Sequence, residues 1–522
     1  MALTSIWAWL VGMGWRTPAV RVAWGASHLW IQTLATSLIQ VVAFAFIARL
    51  ISTTEMGLLT ILSLVLAVAQ LIAPLSLPSA IIRFVSEELV QGRTHSASGV
   101  VYQSTGISMI VSAVMATACF MFSSQLSAAF SAEPTIFQLV AVDILIAAGL
   151  TRTLANALVG AQRFREYSFV TIAYTAVRQA LIITFLILFH DFSWLVYAWI
   201  VSDVVYVLML IIPVLQTVGP PTFEFSVRRL LRFSLPLIPG DATTFAYSWY
   251  DRAVLLPYLS LANLGVYNVA LTAFGVLSAI PGGIASALYP AYAEIQSIKG
   301  KAGLEDAVRG ASRYVSFISI PVVLGLFATA KPALALFAGQ QYEFGSTALQ
   351  LITIFFAPTV LASTFRSLIV VLGRTAADSA ATAASVASSL VAALLLLPDF
   401  GINGAAASRG VGMLVSFALT LALVRRRMRL SLDLEAFWKS LAASVGMVLA
   451  VSLAQYVFYS RLLLPVYVIL GTCAYLAGIR LLRAIHANDV QLVKRFLGKR
   501  YEWPINLLAK ILLTESSADK NA

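Results

Sequence analysis

The 522-residue chain is strongly apolar: 60% of its residues are hydrophobic, 11% are charged, and the mean hydropathy is +0.88. A soluble domain has about 25% charged residues, and it cannot hide this much apolar surface from water. The composition therefore excludes a soluble globular protein. Cys119 and Cys473 lie far apart in apolar segments, so the sequence predicts no disulfide framework, metal site or cofactor.

Apolar runs of about 20 residues recur along the whole chain, and this is the length that a helix needs to cross a bilayer. Long unbroken runs favour helices over a β-barrel, because a helix satisfies its own backbone polar groups. We predict an all-α membrane protein with about 14 transmembrane helices, at 26–49, 56–82, 97–122, 134–161, 167–189, 192–216, 233–257, 261–289, 312–330, 345–372, 377–398, 401–424, 436–459 and 463–482.

The distribution of basic residues predicts the orientation. The formal charge is +12, and most Lys and Arg residues fall in the N-terminal segment, the tail and every second connection. The opposite connections hold Arg49, Lys331 and Arg461. This asymmetry predicts that both termini are cytoplasmic. The basic excess then faces anionic headgroups, so membrane lipids are predicted partners and nucleic acid is not.

The chain divides into two predicted halves with flanking segments. The 218–232 connection begins Gly219-Pro220-Pro221 and is basic, which is typical of a cytoplasmic linker. Tandem halves with interrupted helices are typical of secondary transporters and predict a central cavity between the halves. We predict an interfacial N-terminus (1–25), two six-helix bundles (26–217 and 233–424), two additional helices (425–482) and a basic amphipathic tail (483–522).

Two features repeat between these halves. The second span of each half carries prolines near its cytoplasmic end, Pro74 with Pro78 and Pro281 with Pro290, and we predict a broken helix at both places. The fourth spans carry Arg152 and Arg366. The N-terminal segment lacks the organisation of a removable signal peptide, and its tryptophans (Trp7, Trp9 and Trp15) favour the membrane interface.

An ordered series of short motifs resembles a known family. The series comprises Arg232-Phe-Ser-Leu-Pro-Leu-Ile-Pro-Gly240, Trp249-Tyr-Asp-Arg252, Leu264-Gly-Val-Tyr-Asn-Val-Ala270, Leu288-Tyr-Pro-Ala-Tyr292, Val371-Leu-Gly-Arg-Thr375 and Phe400-Gly-Ile-Asn-Gly-Ala-Ala406. It is similar to the polysaccharide-biosynthesis flippases of the multidrug/oligosaccharidyl-lipid/polysaccharide exporter superfamily.

This resemblance implies a fold like that of the multidrug-extrusion (MATE) transporters. It also implies a flippase that moves a glycan linked to polyprenyl or dolichyl phosphate or pyrophosphate across the plasma membrane by alternating access. Glycan-assembly enzymes are candidate partners, and a monomer is the expected oligomeric state.

Five arginines fall inside predicted spans, where a charge costs at least about 2.5–3.5 kcal/mol. They are Arg152, Arg178, Arg252, Arg366 and Arg409. A guanidinium stays charged and binds phosphate oxygens in pairs, so these residues are candidates for the phosphate of a glycolipid. The favoured trio is Arg152, Arg178 and Arg366. Structural pairing with a buried acid is the alternative for all five.

Four aspartates accompany the arginines. Asp143 and Asp203 lie deep in the first half, and Asp241 follows Pro239-Gly240. All three are candidates for ion coupling, because a desolvated carboxylate titrates usefully. Structural pairing with an arginine is the favoured alternative. For Asp251 we predict a local role at the surface.

Two other functions fit parts of the pattern. A multidrug or cation antiporter shares the predicted fold, but in such antiporters an acid often lies in the first span, and 26–49 contains none. A membrane glycosyltransferase or polymerase usually places acids in a large surface loop. The predicted external loops are short and nearly uncharged, so the sequence favours a transporter over an enzyme.

Overall fold

The computed structural model describes residues 18–426 and 432–485. Within these ranges the chain forms helices joined by short turns and contains no β-strand. In chain order the α-helices are α1 (Pro18–Leu50), α2 (Thr53–Ile72), α3 (Leu77–Val90), α4 (Thr94–Met121), α5 (Ser123–Phe130), α6 (Pro134–Ile146), α7 (Arg152–Gly160), α8 (Phe164–Phe189), α9 (Ser193–Val218), α10 (Val227–Ser234), α11 (Ile238–Leu255), α12 (Leu261–Phe337), α13 (Ser346–Phe356), α14 (Ala362–Val371), α15 (Thr375–Arg425), α16 (Leu434–Val457) and α17 (Leu464–Leu481).

Eleven helical segments in the described part are long and apolar enough to cross a membrane. The predicted all-helical membrane fold is therefore confirmed. Two of these segments, α12 and α15, are far longer than a bilayer requires, and each contains one residue with non-helical backbone angles, Gly300 and Gly401 respectively. Both glycines have a positive φ, which side-chain-bearing residues rarely adopt.

Contacts divide the chain into two compact units, Met1–Phe245 and Ala246–Ala522. The division falls inside α11, and the predicted division into six, six and two helices remains a prediction. The 218–232 connection ends in the short helix α10, which packs on α3 within the first unit. There the Arg229 guanidinium donates to a Glu87 carboxylate oxygen at 2.9 Å.

The core of the first unit forms where α3, α4, α7 and α9 meet, and Ile81, Val101, Leu158 and Leu210 are fully buried there. Lipid is as apolar as these side chains, so close packing and interhelical hydrogen bonds hold such helices together. A methyl group at Gly160 would lie 3.1 Å from backbone atoms of Ile81 and Ile82. Glycine therefore allows α7 to approach α3 closely.

The second unit buries residues of α12, α14, α16 and α17 against one another. Ile320, Phe365, Met447 and Ile479 belong to this cluster. A hydrogen bond also joins two of these helices: the Ser440 hydroxyl of α16 donates to the Ser316 carbonyl of α12 at 2.9 Å. The last two helices are therefore integral to the second unit.

The two predicted proline breaks have different outcomes. The break at Pro74 and Pro78 is confirmed: α2 ends at Ile72, α3 begins at Leu77, and Leu75 and Ser76 between them have left-handed backbone angles. The break at Pro281 and Pro290 is wrong, because α12 runs through both positions. Membrane helices tolerate proline where neighbouring groups satisfy the freed backbone.

Each fourth span contains an irregular segment that the sequence did not predict. A π-helical segment, Ala147–Thr151, leads directly into α7 and Arg152. In the second unit a 3-10 segment, Ala357–Leu361, leads into α14 and Arg366. The Ser108 hydroxyl donates to the Ala148 carbonyl at 3.0 Å and so satisfies one backbone group that the π-helix frees. Such irregular turns often mark functional positions.

Two predictions concern residues outside the ranges that the structure describes. The interfacial tryptophans lie in 1–17 and the basic tail lies almost wholly in 486–522, so both are outside the described residues.

Candidate functional site

Charged residues inside the spans form a cluster in the first unit around Arg178. This residue lies near the middle of α8, and its guanidinium donates to both carboxylate oxygens of Asp203 at 3.1 Å. It also donates to the Tyr174 hydroxyl at 2.5 Å, and that hydroxyl donates to Asp203. The Trp199 ring lies 5.1 Å from the guanidinium carbon. Arg178 is therefore held by a buried acid and two aromatic side chains.

Asp143 on α6 is a second carboxylate in this cluster. Its side chain is fully buried, and neither of its oxygens has a hydrogen-bond partner among the described residues. It lies close enough to Asp203 and Arg178 for direct electrostatic interaction. Two carboxylates thus share one guanidinium.

Arg152 and Asp241 meet at the broken helix between α2 and α3. The Asp241 carboxylate accepts a hydrogen bond from the Ser76 hydroxyl at 2.6 Å. The Arg152 guanidinium donates to the Gln70 carbonyl at 3.3 Å and is attracted by Asp241. Both residues, Arg152 and Asp241, are exposed. Since lipid contact is costly for a charge, this arrangement is suited to a water-filled space.

A second buried cluster, in the second unit, is centred on Asp251. Its carboxylate accepts hydrogen bonds from Arg409 Nη1 at 2.6 Å, from the Tyr267 hydroxyl at 3.0 Å and from the Arg252 backbone N–H at 2.9 Å. Asp251 is only 2% exposed. The predicted surface role of Asp251 is therefore wrong, because α12 and α15 cover the residue.

Arg252 lies beside this cluster and has other partners for its guanidinium. Nε donates to Asn268 Oδ1 at 3.0 Å, and Nη1 donates to the Ser248 carbonyl at 2.7 Å. The Trp249 ring lies 4.8 Å from the guanidinium carbon. Arg252 Nη1 is 4.0 Å from Asp251, whose carboxylate is already bound to Arg409. Two guanidinium groups and one carboxylate leave an excess positive charge here.

Arg366 pairs with an acid that the sequence did not single out. Its Nε and Nη2 donate to the two carboxylate oxygens of Asp378 at 3.1 and 3.2 Å, and Nη2 also donates to the Thr382 hydroxyl. The Arg366 side chain is 44% exposed. Arg366 and Asp378 therefore form a neutral ion pair at the edge of the packed helices.

The structure thus groups the predicted site residues into three sets and leaves Arg366 separate. The sets are Arg178 with Asp203 and Asp143, Arg152 with Asp241, and Arg252 with Arg409. Sequence reasoning missed Ser76, Tyr267, Asn268 and Asp378 as partners. A tyrosine and an asparagine 16 residues after Asp251 and Arg252 give no periodic signal, since a turn separates the two helices. Asp378 lies at the start of the predicted span 377–398 and was not among the candidate residues.

No group of three or more His, Cys, Asp or Glu side chains that suits a metal ion occurs in the described ranges. The polar groups within the helices are instead guanidinium–carboxylate sets with tyrosine hydroxyls. Chemically, a guanidinium can bind an anion and a carboxylate can take up a proton.

A many-helix membrane protein with buried arginine–aspartate clusters has the architecture of a membrane transporter. Solved structures share this fold. A lipid II flippase, MurJ, in an inward closed conformation has a TM-score of 0.67 and 14% identity, covering 86% of this chain and 97% of that chain. An inward-facing multidrug resistance MATE transporter has a TM-score of 0.59 and 14% identity, covering 77% and 98%.

The chain belongs to the polysaccharide biosynthesis protein family, whose family model matches residues 46–347, more than half of the sequence. The family resemblance is thereby confirmed. A probable low-salt glycan biosynthesis flippase, Agl15 of Haloferax volcanii, is 20% identical over 392 residues, 73% of this chain and 79% of the relative. The succinoglycan biosynthesis transport protein ExoT of Rhizobium meliloti is 23% identical over 327 residues, 60% and 62%.

Proposed function

We propose that this chain is a flippase that moves lipid-linked oligosaccharide or polysaccharide units across the plasma membrane by alternating access. The observation that carries the proposal is the family match over residues 46–347, and relatives of the chain are named a flippase and a transport protein. The product would serve cell-surface glycan or glycoprotein synthesis. The carrier would be a polyprenyl or dolichyl phosphate or pyrophosphate.

The glycolipid's phosphate needs a cationic partner inside the membrane, and Arg252 is the best-suited arginine. Arg178 and Arg409 each bind a buried aspartate, so a phosphate would have to displace that carboxylate. Arg252 contributes the excess charge of its cluster, and its side chain is 16% exposed. A guanidinium with a carboxylate-free face binds phosphate oxygens through charge-assisted hydrogen bonds.

Arg152 and Arg366 suit a second, more transient contact with the phosphate. Both follow the irregular segment of a fourth span, and both are exposed. Each is balanced by a single aspartate, Asp241 or Asp378, so an incoming phosphate would compete with an exposed carboxylate. Two aromatic side chains, Trp249 beside Arg252 and Tyr247 beside Arg409, are suited to stack on sugar rings.

Fourteen crossings with both termini in the cytoplasm are part of the proposal. The turns at Gly300 and Gly401 support splitting α12 and α15 into two crossings each, and α11 would supply one more. The basic residues of α10 then lie on the cytoplasmic side. We propose that the chain acts without enzymatic chemistry, in agreement with the names of its relatives.

A leaflet-accessibility assay tests the function directly. The purified chain would be reconstituted into vesicles with a polyprenyl-pyrophosphate-linked disaccharide that carries a nitrobenzoxadiazole label on its sugar. Dithionite added outside bleaches only the outer leaflet, so a flippase raises the bleached fraction above the half that protein-free vesicles show. A bleached fraction equal to that of protein-free vesicles, with dolichyl-phosphate and polyprenyl-pyrophosphate carriers alike, would refute the proposal.

A further inference from the structure

The Arg178 cluster has an imbalance of charge, and it plays no part in the phosphate contact proposed at Arg252. Its residues lie near the middle of their spans, Arg178 on α8 and Asp203 on α9, with Asp143 on α6. If both carboxylates were ionised, the cluster would hold one uncompensated negative charge in a buried position. An isolated buried charge costs far more than a buried pair, so such a group neutralises itself.

The hydrogen bonds show which carboxylate is left over. Asp203 accepts from Arg178 and from the Tyr174 hydroxyl, so its negative charge is well compensated. Asp143 is 0% exposed, and neither oxygen has a hydrogen-bond partner in the described part of the chain. A buried ionised carboxylate without a donor is strongly unfavourable. A protonated one supplies its own donor, and Asp203 is the neighbouring acceptor.

The neighbouring elements supply no other charge to balance Asp143. Helix α6 packs against α2, α4, α5, α9 and the π-helical segment Ala147–Thr151, and neither α5 nor that segment contains a charged residue. The sequence of α2 has one charged residue, Glu55, in its first turn, and α4 offers His95 at its start with Tyr102 and Cys119. From α9 come Asp203 and Tyr206, and Tyr206 stacks on Tyr174 of α8 with ring centroids 4.1 Å apart. In the described part of the chain, Arg178 is therefore the single guanidinium that acts on both carboxylates.

We propose that Asp143 and Asp203 form a proton-binding site that holds one proton beside Arg178 and couples proton movement to the flippase cycle. The site takes a proton onto a carboxylate oxygen in one state and releases it in the other, and no further reactant is consumed. A metal cation fits less well, because the guanidinium repels it and no third acidic ligand is present in the described ranges. The coupling role depends on the proposed flippase function, whereas the proton site itself does not.

Infrared difference spectroscopy on the purified full-length protein tests the site without any substrate. A protonated carboxyl gives a C=O stretching band that is separate from the carboxylate bands. We expect this band at neutral pH in the wild type, its loss in Asp143→Asn, and its retention in Asp251→Asn, whose wild-type carboxylate is bound to Arg409. Absence of the band from the wild type, or its persistence in Asp143→Asn, would overturn the proposal.

Thermal stability gives a second, independent readout. Asparagine resembles a neutral aspartic acid in shape and charge, so Asp143→Asn should unfold within a few degrees of the wild type. Asp203→Asn should unfold at a clearly lower temperature, because Arg178 loses its main partner. Equal destabilisation by the two substitutions, or failure of Asp143→Asn to fold, would show that Asp143 is ionised and would contradict the proposal.

Two further experiments test whether the bound ion is a proton and whether its binding is coupled to flipping. Replacing potassium by sodium at constant pH should leave the infrared band unchanged, and its loss in sodium would indicate a metal cation instead. In vesicles, an imposed pH gradient should change the rate of glycolipid flipping by the wild type but not by Asp143→Asn. An equal response of both proteins would exclude the coupling role. Absence of flipping by the wild type would instead refute the flippase function and leave the infrared result intact.

Discussion

At the scale of single residues, substitutions of Arg252 test the proposed phosphate contact. Charge-assisted hydrogen bonds contribute about 1.5–3 kcal/mol each, so Arg252→Ala should slow glycolipid flipping about tenfold or more. Arg252→Lys should recover only part of the rate, because lysine keeps the charge but loses the planar fork. The measurement is the initial rate of dithionite bleaching in vesicles.

Arg461→Ala is the matched control for this substitution. Arg461 lies in the turn before α17, outside the buried clusters, and it is exposed. Its removal should leave the flipping rate unchanged. Equal rates for Arg252→Ala and Arg461→Ala would show that Arg252 does not contact the passenger.

The residue scale is also where sequence reasoning reached its limit. Arg178, Asp203, Arg409 and the other intramembrane charges stand out in an apolar sequence, because a charge there is costly. Their pairing is not readable, since Arg409 and Asp251 are 158 positions apart and only the folded second unit brings them together. Asp251 was misplaced at the surface for the same reason.

At the scale of helices, the turn at Gly401 folds α15 back on itself through small residues. A methyl group at Gly404 would lie 2.3 Å from the Leu396 carbonyl oxygen, a backbone atom that cannot move aside. Gly404→Ala should therefore lower the thermal unfolding temperature in detergent, with an overpacking cost of about 1–3 kcal/mol. Gly446→Ala is the control, because a methyl group there meets nothing within 4 Å. Equal stability of both variants would contradict this packing.

The start of α16 gives a pH-dependent prediction. Partial burial raises the pKa of Asp433, but hydrogen bonds from the Ala436 N–H and from Arg313 outweigh it and hold this pKa below its usual value. A carboxyl with a lowered folded-state pKa stabilises the protein above the unfolded value, about 3.9. This stabilisation is lost as the pH falls through the folded-state pKa.

Asp433→Ala removes both the cap and the ion pair, so it should destabilise the protein by about 1–3 kcal/mol at neutral pH. The loss should shrink as the pH falls below the unfolded-state value of about 3.9 and on through the lower folded-state pKa, where the wild-type carboxyl becomes protonated. Asp433→Asn, which keeps the cap, should lose less. Thermal unfolding across the pH range measures all three proteins, and a pH-independent difference would contradict the assignment.

Hydropathy predicted the helices well because span length and apolar composition are local properties. The turn of α15 falls at Gly401, where two spans were predicted to meet, and the break at Pro74 occurs as expected. The π-helical segment before Arg152 was not predictable, because it depends on Ser108 of α4 satisfying a freed carbonyl. The break predicted at the prolines of α12 was wrong for a related reason, because tertiary context decides whether a proline ends a membrane helix.

At the scale of the whole molecule, the asymmetry of basic residues predicts the orientation, and single cysteines can test it. In a background with Cys119 and Cys473 replaced by alanine, Leu462→Cys lies in an exposed turn predicted to be external, and Arg228→Cys lies in the basic linker. A membrane-impermeant maleimide added to intact cells should label Leu462→Cys, and should label Arg228→Cys only after permeabilisation. The reverse pattern would invert the proposed topology.

We propose that the passenger is an anionic glycolipid and not a cationic drug, although the fold is shared with multidrug transporters. The most direct measurement places both passengers in the same reconstituted vesicles: the labelled polyprenyl-pyrophosphate disaccharide and a fluorescent cationic dye. We predict that the wild-type chain accelerates bleaching of the glycolipid and leaves dye distribution unchanged. Dye movement without any glycolipid flipping would contradict the account.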